Sequence, residues 1–197
     1  MGFSYPVVLD LTDADVLVVG GGNVAERKVA GLVDAGARVT VVAPLVAEAV
    51  EAMAAETQRR PFAADDVLGR RLVVTCTDDP QVNALVAATC RAANVWVNSA
   101  DDPANCTFAL PAVARRGRVV VAVGSAGASP ALAQYVRDRV ASEILDDRLA
   151  AAAEVLAAER DAIHAEGGST EGRDWATRLR ALLADAAADP EPGRDPA

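Results

Sequence analysis

The sequence is poor in the residues that most often carry acid–base and metal chemistry. Its one histidine, His164, lies in an alanine- and glutamate-rich helical stretch and reads as a solvated surface residue, which removes histidine catalysis from consideration. Cys76, Cys90 and Cys106 are an odd set with no C-x-x-C spacing and no histidine beside them. Neither a disulfide framework, a structural zinc site nor any other permanent metal site is expected from them, and they read as buried thiols. No apolar run reaches the ~18 residues of a membrane helix. The opening MGFSYPVVLDLTDADV has no cationic region ahead of an apolar one, so a cytoplasmic protein without a membrane partner is expected. A net charge of −9 disfavours nucleic acid as a partner. The charge is uneven: residues 141 to 197 hold 13 acidic and 6 basic groups, whereas the first 140 are nearly neutral. Within that first part Arg115, Arg116, Arg118, Arg137 and Arg139 cluster, which suits either a polyanionic small molecule or a solvated helix face.

What is present is a core and a turn. Hydrophobic residues make up 52% of the 197, enough to bury a good core in one domain with an appendage. In VLVVGGGNVAERK, Val16 to Lys28, a β-branched run stops at three glycines and restarts as a helix. Gly20, Gly22 and Ala25 match the G-x-G-x-x-G/A spacing of dinucleotide sites. The first glycine makes the tight turn, the second admits the pyrophosphate to the backbone, and Ala25 packs the helix on its strand. The N–H groups of Asn23 and Val24 then open the helix toward the phosphates. A plain strand-to-helix turn has the same look, so the context matters.

That context is a repeating alternation. Val16 to Val19, Val39 to Val42, Leu72 to Val74 and Val95 to Val97 read as buried parallel strands, with residues 24 to 35, 46 to 56 and 80 to 93 at helical period between them. The expected fold class is α/β, a Rossmann-like doubly wound parallel sheet. Two further β segments, Thr107 to Val113 and Arg118 to Val123, read as a hairpin around Arg116-Gly117, apolar enough to need another surface over it. A dimer partner is one such surface. Ser129-Pro130 then caps a helix with Leu132, Val136, Val140 and Ile144 on one stripe. A small helical C-terminal region follows, with Ala150 to Ala165 and Trp175 to Leu183 as its segments. The expected organisation is a Rossmann domain over 1–106, a hairpin/helix dimerisation region over 107–147, the helical region over 148–188 and a disordered tail over 189–197.

The second strand is not followed by the carboxylate that usually holds the ribose of NAD. Its end reads Val42-Ala43-Pro44-Leu45, with no arginine for a 2′-phosphate either, so spacing alone leaves NAD against NADP open. The third strand ends in Thr75-Cys76-Thr77-Asp78-Asp79, at the edge where ligands bind in open α/β sheets. Thr77 is a candidate cofactor contact there, and Asp79 is either a helix N-cap or a contact.

With these pieces in place the chain resembles the precorrin-2 dehydrogenase family, the N-terminal module of sirohaem synthase and its free-standing relatives. The resemblance rests on YPVVLDL leading into VLVVGGGNVAERK, on TCTDDPQVNALV, on VNSADDPANCTFALPA and on VAVGSAGASPALAQYVRD, in that order, over residues 5 to about 147. It implies NAD-dependent oxidation of precorrin-2 to sirohydrochlorin by a homodimer. Some members also insert ferrous iron, acting as ferrochelatases that make sirohaem, and that second activity stays open for this chain.

The resemblance also assigns residues. Cofactor contacts fall on Asn23 and Val24 and on Pro44 and Leu45, a backbone type of binding that answers the missing carboxylate and favours NAD. The catalytic aspartate is Asp101 in Asn98-Ser99-Ala100-Asp101-Asp102-Pro103, a proton acceptor during hydride loss and a transient docking point for iron in members that insert it. Ser125 in Gly124-Ser125-Ala126-Gly127 falls at the tetrapyrrole. The alternative reading is a non-catalytic dinucleotide-binding redox sensor, which needs neither Asp101 nor an anion-lined cleft.

Overall fold

The computed structural model describes residues 5–100 and 102–188, with side chains as far as Ala184. Asp101 and the tail from 189 to 197 lie outside the described residues. The chain divides into two compact units, the first ending at Leu110 and the second beginning at Pro111.

The first unit is built on five parallel strands: β1 (Asp15–Val19), β2 (Arg38–Val42), β3 (Glu56–Gln58), β4 (Leu72–Thr75) and β5 (Trp96–Ser99), in the order β3-β2-β1-β4-β5. Helices α1 (Asn23–Asp34), α2 (Glu48–Met53) and α3 (Pro80–Ala92) make the crossovers. Strand residues alternate between two faces, so β1 sends Val16 and Val18 to one apolar cluster and Leu17 and Val19 to the other. The first cluster is covered by Ala25 and Val29 of α1 and Val50 of α2, the second by Val86, Ala87 and Cys90 of α3. This is the doubly wound arrangement expected. Each fully buried valine adds about 1.5–3 kcal/mol, which makes the sheet a rigid platform for the loops at its carboxyl edge.

One segment departs from its expected form. The helix expected over 46 to 56 is α2, and it stops at Met53 because Ala54 turns extended at ψ 143°. Ala55 N–H then donates to Val39 O (2.9 Å), and Glu56–Gln58 pairs with Thr40 to Val42 as an edge strand. A polar three-residue edge strand carries no apolar run, so no periodicity marks it.

The second unit opens with an antiparallel hairpin, β6 (Ala112–Arg116) and β7 (Val119–Val123), in which Arg116 pairs with Val119. The turn is therefore Gly117-Arg118, with Gly117 at φ +53°, as two-residue hairpin turns favour. Thr107, expected in this hairpin, instead docks on β5 of the first unit: its N–H donates to Val97 O (2.7 Å), and its hydroxyl accepts Val97 N–H (2.8 Å). Helix α4 (Pro130–Glu143) packs against the hairpin and buries Ala133. The expected stripe is split: Leu132 and Val136 are 53% and 38% exposed, Val140 is half-buried, and Ile144, 59% exposed, lies past the end of the helix as its C-cap. Helices α5 (Asp147–Ala165) and α6 (Trp175–Ala188) complete the unit. No helix among the described residues is long and apolar enough to cross a membrane.

Candidate active site

β1 stops at Val19, and the chain turns through Gly20-Gly21-Gly22 into α1. Gly20 sits at φ +122°, a conformation that side chains resist, and donates its N–H to Val42 O at the end of β2 (3.1 Å). A Cβ at this position would lie 2.8 Å from the Cys76 carbonyl oxygen. Gly21 presses the turn onto the loop after β2. Its carbonyl accepts Ala47 N–H (2.9 Å), and a Cβ on it would lie 2.8 Å from Val46 Cα. Gly22 is different: it is the exposed N-cap of α1, and a Cβ there meets no atom within 4 Å. Without a capping side chain, the first N–H groups of α1, including those of Asn23 and Val24, keep their hydrogen-bonding capacity for a ligand at the positive end of the helix dipole.

The loop after β2 offers backbone and an apolar surface. Pro44 and Leu45 are both exposed, Leu45 by 84%. Arg59 reaches the same loop, donating to Val46 O (3.3 Å), and is paired with Glu51 (2.8 Å).

At the end of β4 a buried amide organises the loop. Asn83 of α3 accepts from Thr75 Oγ1 (2.5 Å), Thr77 N–H (3.2 Å) and Thr77 Oγ1 (2.9 Å), and its own amide donates to Thr77 O (2.9 Å). Thr77 is thus held on every polar atom. Asp79 caps α3 by accepting from Gln81 N–H (2.8 Å), the N-cap alternative weighed from the sequence. Burial pushes the Cys76 thiol up to about 11, against the opposing charge of Lys28, so it stays protonated beneath the turn.

At the end of β5, Asn98 donates to Phe108 O (3.0 Å), and Ala100 N–H donates to Thr75 O (2.9 Å). Ser99 is buried with its hydroxyl unpaired. Asp102 is half-buried and accepts from Asn105 Nδ2 (2.7 Å). Arg91 of α3 donates to Ala104 O (2.6 Å) and so fastens the turn that follows. Asp101 belongs to this segment by sequence and lies outside the described residues.

In the second unit Ser125 folds back on its own loop. Its hydroxyl donates to Ser129 O (2.9 Å) and accepts Ser129 N–H (3.1 Å), while Ser129 caps α4 through Leu132 N–H (3.3 Å). The arginine cluster is engaged with acids of α4 and α5: Arg116 with Asp147 (2.6 Å), Arg118 with Glu154 (2.7 Å), Arg137 with Asp138 (2.7 Å) and Arg139 with Glu143. Exposed pairs of this kind are worth about 0–1 kcal/mol.

Residues 7–112 match the family described as "Putative NAD(P)-binding". Siroheme synthase of Tolumonas auensis is 38% identical over 170 residues, covering 85% of this chain and 36% of that protein. Siroheme synthase of Pseudomonas putida is 45% identical over 139 residues, covering 68% of this chain and 30% of that protein. The chain thus spans about a third of the length of these curated relatives. A solved structure titled SirC, precorrin-2 dehydrogenase, superposes with a TM-score of 0.68 at 30% identity, covering 92% of this chain and 88% of that one. The chain belongs to the precorrin-2 dehydrogenase family.

As in a member of that family, the first unit is a nicotinamide-dinucleotide-binding domain, with the glycine turn, Pro44-Leu45 and Thr77 brought to one edge of one sheet. Ser125 lies in the second unit. Reasoning from sequence missed Gly21, which packs the turn on the loop after β2, and Asn83. The signal for Asn83 was available, since it is an amide at a position where the apolar period of α3 (Val86, Ala87, Cys90) calls for a hydrophobic side chain.

Proposed function

We propose that this chain oxidises precorrin-2 to sirohydrochlorin with NAD, as a homodimer. The observation that carries the reading is the turn itself: an open cradle at Gly22, rigidly placed by Gly20 and Gly21, on the edge of the sheet where β5 ends in Asn98-Ser99 and the sequence continues Ala100-Asp101. NAD, when bound, supplies the acceptor for the hydride. The N–H groups of Asn23 and Val24 bind its phosphates, and Pro44 and Leu45 meet the adenosine ribose through backbone. NAD is the reading that the family resemblance favours; Arg59, the arginine that reaches the loop after β2, is paired with Glu51, and that exposed pair would have to open for Arg59 to meet a 2′-phosphate. Thr77 forms a wall of the crevice, its polar atoms already satisfied by Asn83.

Loss of hydride from the macrocycle leaves a proton to be removed, and the Asp101 carboxylate accepts it. Ser125 contacts the tetrapyrrole. Its carboxylates exchange into the exposed arginine pairs and into Arg115, which makes no ion pair among the described residues. A second copy of the chain covers the outward apolar face of α4.

Anaerobic mixing with precorrin-2 and NAD should give one NADH per sirohydrochlorin; no NADH removes the assignment. Adding ferrous or cobaltous ion to the product then reports metal insertion. Asp101→Ala should lower the dehydrogenase rate by about 10²–10⁴-fold with NAD binding unchanged. A variant that kept most of its rate would remove Asp101 as the base.

A further inference from the structure

The three cysteines sit in different surroundings: the Cys76 thiol makes a single long contact with Val19 O (3.6 Å), whereas Cys106 meets several polar groups at once. Cys90 packs in the apolar cluster under α3, and Cys76 lies against the glycine turn. Cys106 instead sits among backbone groups at the end of β5. Its sulfur accepts Ser99 N–H (3.1 Å), lies 3.6 Å from Asn98 Nδ2, and is 3.3 Å from both Ser99 O and Asp102 O.

We propose that Cys106 is a positioning residue for dehydrogenation, its thiol tying Ser99 to Asp102 and so fixing the chain on both sides of position 101. The inference rests on the role assigned above to Asp101.

The chemistry of a thiol suits the place. One S–H proton is shared between two carbonyl oxygens at equal distance, while the sulfur lone pairs take an N–H that the strand leaves without a ladder partner. Burial holds the thiol protonated, so the donor persists at neutral pH. The neighbouring bonds lock the rest of the segment: Ala100 N–H to Thr75 O, Asn105 to Asp102, and Arg91 to Ala104 O. Among the described residues, Cys106 alone places a side-chain atom within hydrogen-bonding reach of both Ser99 and Asp102. Without it, the one direct hydrogen bond between Ser99 and Asp102 among the described residues is the long Asp102 N–H to Ser99 O contact (3.4 Å). A carboxylate displaced by about 1 Å costs on the order of 100-fold in rate.

The test uses the full chain with precorrin-2 and NAD. Cys106→Ala should lower kcat by about 10- to 100-fold, shift the acid limb of the pH–rate profile, and leave the Kd for NAD within about twofold, because the phosphate turn is carried by β1. Cys106→Ser should restore most of the rate, since a hydroxyl donates and accepts as the thiol does. A kcat equal to wild type in the alanine variant overturns the inference. So does a loss of rate with the pH profile unmoved and NAD binding falling in step, which is the mark of a smaller folded fraction. If the alanine variant does not fold, methylthiolation of the folded wild type replaces it. The rate should fall when mass spectrometry shows Cys106 modified, recover with reductant, and be insensitive in Cys106→Ser; a modified enzyme at full rate overturns the proposal. A wild-type chain that forms no NADH removes both readings, whereas an active wild type with an inactive Asp101→Ala and an unaffected Cys106→Ala removes this one alone.

Discussion

One methyl group has opposite consequences at the two ends of the glycine turn. At Gly20 it must adopt φ +122° and meet the Cys76 carbonyl at 2.8 Å, so Gly20→Ala is expected to cost about 3 kcal/mol or more and to lose nucleotide binding with the fold. At Gly22, where φ is −94° and a Cβ meets nothing, the same change should cost no more than about 1 kcal/mol as a weaker N-cap, yet reduce NAD affinity about tenfold or more by filling the space the pyrophosphate needs. Thermal melts and nucleotide titration of the two variants separate these effects. Equal losses of stability, or a Gly22→Ala variant that binds NAD normally, would contradict the cradle. Gly20 and Gly22 were legible from spacing, because a dinucleotide turn needs glycine at fixed offsets. Gly21 was not, because the backbone it abuts, Leu45 and Val46, comes from another crossover and only the folded sheet brings it there.

At the scale of elements, the β7-to-α4 connection carries a visible strain. Ala126 takes a left-handed φ of +51° beside Gly127 at +84°, with Ser125 and Ser129 bonding across the turn. A left-handed non-glycine residue costs about 1–2 kcal/mol, and glycine gives back part of that through its larger unfolded-state entropy. Ala126→Gly should therefore stabilise the protein by about 0.5–1 kcal/mol and raise the melting temperature by a few degrees. A lower melting temperature would show that the turn is not strained. The long elements were read from pattern, since β1, β2 and β4 are runs of valine and leucine with both faces buried. The short ones were not. β3 is three polar residues held by pairing with β2, and the hairpin begins at Ala112 because cross-strand register places Gly117-Arg118 at its tip.

For the whole molecule, the exposed side of α4 is where the proposed pairing of two chains can be tested. On one side of α4, Leu132, Tyr135 and Val136 are 53%, 60% and 38% exposed. If a second copy covers this face, light scattering should give twice the chain mass of 20.3 kDa for wild type and a single chain mass for Leu132→Glu. That variant should lose little intrinsic stability, because Leu132 is not part of either unit's interior. A monomeric wild type, or a dimer untouched by the substitution, would remove the homodimer from the proposed function. Arginine pairing belongs to the same scale. Composition showed five arginines between Arg115 and Arg139, but which acids they meet depended on where α4 and α5 lie against the hairpin.

The sequence by itself determined the doubly wound class, the place of the dinucleotide turn and the family, because each is written in local terms: buried strands as apolar runs, helices as a period, the phosphate turn as glycines at set spacing. Only the tertiary structure decided that Asn83 holds Thr77, that Cys106 joins Ser99 to Asp102, and that Leu132 of α4 faces outward. Those facts rest on contacts between residues that chain order separates or leaves unspecified, and such contacts are set by packing and register, which local pattern does not encode.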